Sequence, residues 1–149
     1  MTKPLAEILL FGSLVANVTL LTFLAGVLRK VMNDMDEPTF KHFLDSLVSY
    51  SKKSPFMWAV INIPLIGAVP YFYFYGFANR WLLAGLVLWL VAGCIAKAVK
   101  YPIYTDVAAL KVGQVAGLSE KRRKINALNV FQAILNSAAS VLALVPFVK

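Results

Sequence analysis

The last part of the chain joins a cationic cluster to a long uncharged segment. Four consecutive cations, Lys121 to Lys124, precede 24 uncharged residues, Ile125 to Val148. A helix of that length crosses the roughly 30 Å hydrocarbon core of a bilayer. Polar residues recur within it at spacings of three and four, on one face about 120° wide: Asn126, Asn129, Gln132, Asn136 and Ser140. Because unpaired amides are costly in hydrocarbon, this amide stripe is expected to face protein or water.

Three earlier segments are also long and uncharged. Hydrophobic residues make up 60% of the 149 residues and charged residues 15%, whereas soluble domains average about 45–50% and about 25%. We therefore predict an all-α membrane protein, a four-transmembrane-helix bundle forming a single domain over residues 1–149. The spans are expected at about 8–28, 55–77, 81–99 and 125–147.

The connection between the first two spans contains a predicted amphipathic helix. Asp36-Glu37-Pro38 has the composition of a helix start, and apolar residues follow at helical spacing: Phe40, Phe43, Leu44, Leu47 and Val48. We expect this helix, about residues 37–50, to lie in the membrane interface with its apolar face in the acyl boundary. A docking surface for a partner is the alternative.

Polar residues in the first two spans are candidates for a shared pocket. Ser13 and Asn17 lie one turn apart in the first span, and Asn62 precedes Pro64 in the second. Pro64 and Pro70 each remove a backbone hydrogen bond, so carbonyls near Asn62 are expected to need donors. The polar side chains either form interhelical hydrogen bonds or line a pocket together with Asn129, Gln132 and Asn136.

Aromatic residues and cations mark the expected membrane boundaries. An aromatic belt is predicted around the turn of an antiparallel hairpin formed by spans two and three, from Tyr71, Tyr73, Tyr75 and Trp81. Glu7 is expected at the membrane edge, and Lys97 and Lys100 are expected to reach toward the head groups. Lipid head-group contacts are also expected for Lys121, Arg122, Arg123 and Lys124.

The distribution of cations predicts an orientation. Twelve of them lie in or directly beside the two long connections, and the other side has Lys3, Arg80 and Lys149. The positive-inside rule then places the connections at about 29–54 and 100–124 in the cytoplasm and both termini outside. The expected location is the bacterial inner membrane.

The residues available for metal and cofactor binding are few. The chain has one cysteine, Cys94, and one histidine, His42, which excludes an intrachain disulfide, a haem held by two histidines and a multi-histidine metal site. We expect no metal and no cofactor. The net charge of +8 is assigned to topology and lipid contact rather than to nucleic acid, because the cations flank hydrophobic segments.

Two short motifs in the second half form a recognisable pattern. Lys100-Tyr101-Pro102-Ile103-Tyr104 ends the third span, and Asn129-Val130-Phe131-Gln132 follows the basic cluster. This arrangement resembles the anthrone-oxygenase-like family of small four-helix membrane proteins. The usual family pattern is Asn-x-Pro-Leu-Asn at the exit and Asn-x-x-Arg in the last helix. Pro102 and Asn129 match it, whereas Lys100 and Tyr104 replace the asparagines and Gln132 replaces the arginine.

Different classes of function fit these observations. One is interaction, as an accessory or structural subunit of a membrane assembly or as a homo-oligomer, since no catalytic constellation is recognisable. Another is an enzyme or binding protein for a hydrophobic phenolic or quinone-like molecule in an intramembrane pocket. If the chain is an enzyme, the resemblance implies cofactor-independent oxygenation of polycyclic phenols. A transporter or channel is a third class, disfavoured by the scarcity of intramembrane ionisable residues.

Overall fold

The computed structural model describes residues 2–110 and 117–148, and these are helical apart from the short connections between helices and the ends of the described ranges. Its helices are α1 (Lys3–Asp34), α2 (Glu37–Lys53), α3 (Pro55–Tyr75), α4 (Arg80–Ala109) and α5 (Leu118–Leu144), the last followed by a 3-10 turn, Val145–Phe147. All except α2 are long and apolar enough to cross a membrane. This confirms the predicted all-helical chain with four helices of membrane-spanning length.

Helices α1 and α4 extend beyond the predicted spans. α1 continues through Arg29 to Asp34, and α4 continues through Pro102 to Ala109. Each contains a π-helical turn, Leu24–Leu28 in α1 and Ala96–Lys100 in α4. Because the hydrogen-bond register changes in the π turn directly before it, Pro102 does not end the helix. Of the predicted connection at 100–124, residues 111–116 lie outside the described residues.

The other connections are short, and a side chain caps the helix that follows each of them. Asp36 Oδ1 accepts a hydrogen bond from Thr39 N at 2.9 Å at the start of α2. Ser54 Oγ accepts from Met57 N at 3.3 Å and Asn79 Oδ1 accepts from Leu82 N at 3.0 Å, which caps α3 and α4. Each cap satisfies a backbone donor that the first helical turn leaves free. The hydrogen bonds from Thr39 hold the pKa of the Asp36 carboxyl below its ordinary value.

The bundle is organised around α1 and α5. α5 packs against α4 over the most extensive interface, and α1 packs against both α5 and α3. At the α4–α5 contact a Cβ on Gly85 would lie 2.6 Å from the carbonyl oxygen of Ala139, so the absence of a side chain allows this close approach. By contrast, α3 and α4 share no extensive interface. Helices α3 and α4, which form the predicted hairpin, meet near their turn, where Tyr71 and Leu82 belong to one core.

Helix α2 packs on the bundle through its apolar face. Phe40 and Leu44 are buried in a core with Met32, Val107, Leu118 and Ile125, and Phe43 and Leu47 are partly buried. The sequence analysis expected this apolar face to lie in the acyl boundary. The structure instead buries its central residues, Phe40 and Leu44, against other helices of the same chain. The physical reason is that the extensions of α1 and α4 provide an apolar surface that α2 can cover.

The cationic cluster, Lys121 to Lys124, bonds the start of α5 to the α1–α2 connection and to α4. Arg122 Nη1 donates to the Met35 carbonyl at 2.8 Å, and its guanidinium lies 4.4 Å from the centroid of the Phe40 ring. Lys121 pairs with Asp106 at 3.0 Å. Lys124 pairs with Glu120 at 2.8 Å, and Arg123 is exposed. Three of the four residues expected to contact head groups therefore have partners within the chain.

The aromatic residues near the α3–α4 turn differ in exposure. Tyr73 and Trp81 are exposed and Tyr75 is half-buried, whereas Tyr71 is buried. The Tyr71 hydroxyl donates to Glu7 Oε1 at 2.6 Å, and Asn79 Nδ2 donates to the same oxygen at 2.9 Å. Tyr71 therefore belongs to the protein interior rather than to an outward-facing belt, because it supplies a donor to the Glu7 carboxylate.

Candidate functional site

A cavity of about 400 Å³ lies within the bundle, and all five helices contribute to its lining. This volume is within the usual range for small-molecule sites, about 300–1,000 Å³. Its apolar lining consists of aliphatic side chains and one indole ring: Leu20, Leu21, Leu24, Leu47, Val48, Met57, Ile61 and Trp89. Its polar lining comprises Asn17, Ser51, Lys97, Lys100, Tyr101, Tyr104, Gln132 and Asn136.

The buried polar residues of the cavity are linked by hydrogen bonds from α4 to α5. Lys100 Nζ donates to Gln132 Oε1 at 3.2 Å, and Gln132 Nε2 donates to the Ala92 carbonyl at 3.3 Å. Asn136 Nδ2 donates to the Gln132 carbonyl at 2.8 Å. Lys100, Gln132 and Asn136 are 8%, 5% and 4% exposed. These bonds restrict the side-chain orientations, so the polar groups are pre-organised.

Lys100 is turned into the protein. The sequence analysis expected it near the lipid head groups, but its ammonium group lies beside Gln132 and 5.7 Å from the centroid of the Tyr104 ring. Lys97, which belongs to the same π turn, is exposed. A π turn changes the face on which following residues lie, and this explains why two lysines only three positions apart have different environments.

Asn17 has a structural partner on the neighbouring helix. Its Nδ2 donates to the Val60 carbonyl of α3 at 2.6 Å and to the Ser13 carbonyl at 3.1 Å. In a regular helix the N–H of residue 64 would donate to Val60, but proline has no N–H. The donor that the sequence analysis expected a carbonyl near Asn62 to need thus comes from Asn17, whereas Asn62 Nδ2 donates to the Trp58 carbonyl of its own helix at 2.7 Å.

The six predicted pocket residues separate into two groups. Asn17, Gln132 and Asn136 line the cavity, whereas Ser13, Asn62 and Asn129 are not in its lining. The Ser13 hydroxyl donates to the Leu10 carbonyl at 2.7 Å. Asn129 is 2% exposed, and its Oδ1 has no hydrogen-bond partner among the described residues.

Lys100, Tyr104 and Trp89 are cavity residues that the sequence analysis did not place in a pocket. Lys100 and Tyr104 belong to the first of the two short motifs that the sequence analysis singled out, and Gln132 belongs to the second; all three line the cavity.

The cavity reaches the protein surface beside α3 and α4. Ile61 of α3 and Gly93, Lys97 and Tyr101 of α4 are lining residues that are themselves exposed. These two helices lack an extensive interface, so the cavity is open to the side rather than fully enclosed. Both π turns border it, through Leu24 and through Ala96 to Lys100, and π turns are frequent at functional sites.

Within the described ranges, no group of three or more His, Cys, Asp or Glu side chains is arranged to hold a metal ion. The polar lining instead offers amide groups, an ammonium and phenolic hydroxyls, which suit recognition of an organic molecule. No protein-family model, curated protein or solved structure matches the chain.

Proposed function

We propose that this chain is an integral membrane protein that binds a hydrophobic phenolic or quinone-like small molecule in the cavity. The observation that carries the proposal is the burial of Asn17, Lys100, Gln132 and Asn136 in the lining of an otherwise apolar cavity of about 400 Å³. Small-molecule sites combine a mainly apolar lining with a few convergent polar groups in this way.

The lining chemistry supports a ring-containing ligand with oxygen substituents. Trp89 and Tyr104 offer aromatic surfaces against which a planar ring packs favourably. Asn136, Gln132 and Lys100 offer hydrogen-bonding groups for hydroxyl or carbonyl oxygens. The resemblance to the anthrone-oxygenase-like family supports the same ligand class. The proposed function is binding of this ligand. The resemblance extends the proposal to an oxygenase-like activity on the bound ligand.

The opening beside α3 and α4 supports access from the membrane. A hydrophobic ligand partitions into the bilayer, and a site that opens sideways in a membrane-spanning bundle receives it without passage through water. We further propose that the two long connections share the cytoplasmic side. The contacts of Arg122 with the Met35 carbonyl and with the Phe40 ring support a common side, and the positive-inside rule supports the cytoplasm.

Interaction with another membrane chain is the second hypothesis, and it has less support. The surface that sequence analysis offered for docking is the apolar face of α2. Phe40 and Leu44 on that face are buried by other helices of the same chain, so its centre has no free area for a partner.

Binding of menadione, a neutral naphthoquinone, to the purified full-length protein in detergent tests the proposal. We expect saturable binding at one site per chain by isothermal titration calorimetry. A Cβ on Gly93, which lines the cavity, has no heavy atom within 4 Å. Gly93→Leu should therefore fill cavity space and weaken binding by about tenfold or more, about 1.4 kcal/mol.

Gly12→Leu is the matched control. Gly12 is also exposed and unobstructed, but it lies in α1 outside the cavity lining. It adds the same apolar side chain to a helix surface, so nonspecific partitioning of the ligand is equal in the two variants. Equal affinities of the Gly93 and Gly12 variants for menadione would contradict the proposal.

A further inference from the structure

We infer that the ligand of this cavity carries an acidic oxygen, such as a phenolate, an enolate or a carboxylate, and that the Lys100 ammonium binds it. The inference rests on the proposed function and specifies the ligand class further. It follows from the charge of the cavity and from the hydrogen-bonding capacity of Lys100.

Lys100 is a buried cation with unused hydrogen-bonding capacity. An ammonium has three N–H donors, and Gln132 Oε1 is the one acceptor it has among the described residues, at 3.2 Å. The face of Tyr104 adds a cation–π contact at 5.7 Å. An amide oxygen and a ring face offset only part of the free-energy cost of burying an ammonium. That cost falls sharply when a counter-ion is present.

Among the residues that the structure describes, none supplies that counter-ion at the cavity. None of the cavity-lining residues is acidic, and the other charged residue of the lining is a second cation, Lys97. Most of the acidic residues have partners elsewhere: Glu7 with Tyr71, Asp36 with Thr39, Asp45 with Lys41, Asp106 with Lys121, and Glu120 with Lys124. The sequence of residues 111–116 also contains no Asp or Glu. An anionic ligand is therefore the complement of this cavity.

The test compares two naphthoquinones of similar size and different charge. Lawsone carries an acidic hydroxyl and is an anion at neutral pH, whereas menadione is neutral. We expect the wild-type protein to bind lawsone about tenfold or more tightly than menadione. Lys100→Met should abolish this preference and leave menadione affinity within about threefold, since it replaces the ammonium by an apolar group of similar length.

Four further variants separate charge from packing. Lys100→Arg should keep the preference for lawsone. Lys100→Asn should lose it, and the exchange Lys100→Asn with Gln132→Arg should recover it, because the cation returns to the same place from the neighbouring helix. Lys30→Met, which removes an exposed cation outside the cavity, should bind both compounds as the wild type does.

The outcomes distinguish this inference from the proposed function. Equal wild-type affinities for lawsone and menadione would overturn the inference while the binding function stands. An undiminished preference in Lys100→Met, with a melting temperature at or above that of the wild type, would also overturn it. Failure of both compounds to bind the wild-type protein would overturn the proposed function itself.

Discussion

At the scale of single residues, the buried Lys100 ammonium is held by one amide oxygen and one aromatic face. Its desolvation costs several kcal/mol. Removing the cation would leave Gln132 Oε1 without a donor, at a cost of about 1–3 kcal/mol. The desolvation cost of the ammonium is larger than the cost of an unpaired amide oxygen. The native lysine is therefore expected to reduce the stability of the unliganded protein, as functional residues often do.

We therefore predict that Lys100→Met raises the stability of the unliganded protein by about 1–2 kcal/mol. For a chain of this size the melting temperature should rise by about 2–8 °C. Circular dichroism in detergent measures it, with Lys30→Met as the exposed control, for which no change is expected. A melting temperature below that of the wild type would show that the Lys100–Gln132 contact is a net stabilising interaction.

A second residue-scale prediction concerns Asn17 and Pro64. Asn17→Leu leaves the Val60 carbonyl without its 2.6 Å donor and should cost about 1 kcal/mol. In a Pro64→Ala background the new N–H at position 64 can donate to Val60, so the same substitution should cost much less. The four melting temperatures of this double-mutant cycle measure the coupling. Additive effects would show that the proline does not create the need for Asn17.

At the scale of helices, the α4–α5 contact depends on a missing side chain. Gly85→Ala places a methyl group 2.6 Å from the backbone oxygen of Ala139, so the helices must separate, at a cost of about 1–3 kcal/mol. Gly93→Ala on the same helix meets no heavy atom within 4 Å and should be neutral or slightly stabilising through helix propensity. Thermal unfolding of both variants checks this, and equal effects would contradict it.

The π turns are the helix-scale features that sequence analysis did not predict. Leu24–Leu28 contains one glycine, Gly26, of a kind that regular membrane helices also contain, and Ala96–Lys100 has ordinary helix-forming residues. Nothing in their composition or spacing indicates a change of hydrogen-bond register. Such a change is selected by packing, because the residues that follow must meet neighbouring helices. This is why the positions of Lys97 and Lys100 relative to the bundle could not be deduced from periodicity.

At the scale of the whole molecule, the proposed topology places both termini outside. A reporter fused after the last residue should be active when it reports an extracytoplasmic location and inactive when it reports the cytoplasm. Neutralising Lys121 to Lys124 with glutamine should reduce this bias, because that cluster supplies four of the twelve cations assigned to the cytoplasmic side. A C-terminal reporter active only in the cytoplasm would contradict the orientation.

The sequence by itself determined that the chain is helical, that four of its helices are long and apolar enough to cross a membrane, and that the amide stripe faces the protein interior. Long uncharged segments have one low-energy backbone conformation in hydrocarbon, and periodic polar residues must avoid lipid. Asn126, Asn129, Gln132, Asn136 and Ser140 are accordingly all buried. These are local consequences of solvation and helical periodicity, so no knowledge of neighbouring helices was needed.

Only the tertiary structure decided which polar residues meet. α3 and α4 follow each other in the chain but do not pack along their lengths, so Asn17 rather than Asn62 satisfies the carbonyl opposite Pro64. The register change in α4 then brings Lys100 to Gln132. Pairings of this kind depend on crossing positions and register between distant segments. Solvation and periodicity determine which face of a helix is buried, but they do not determine which helix packs against that face.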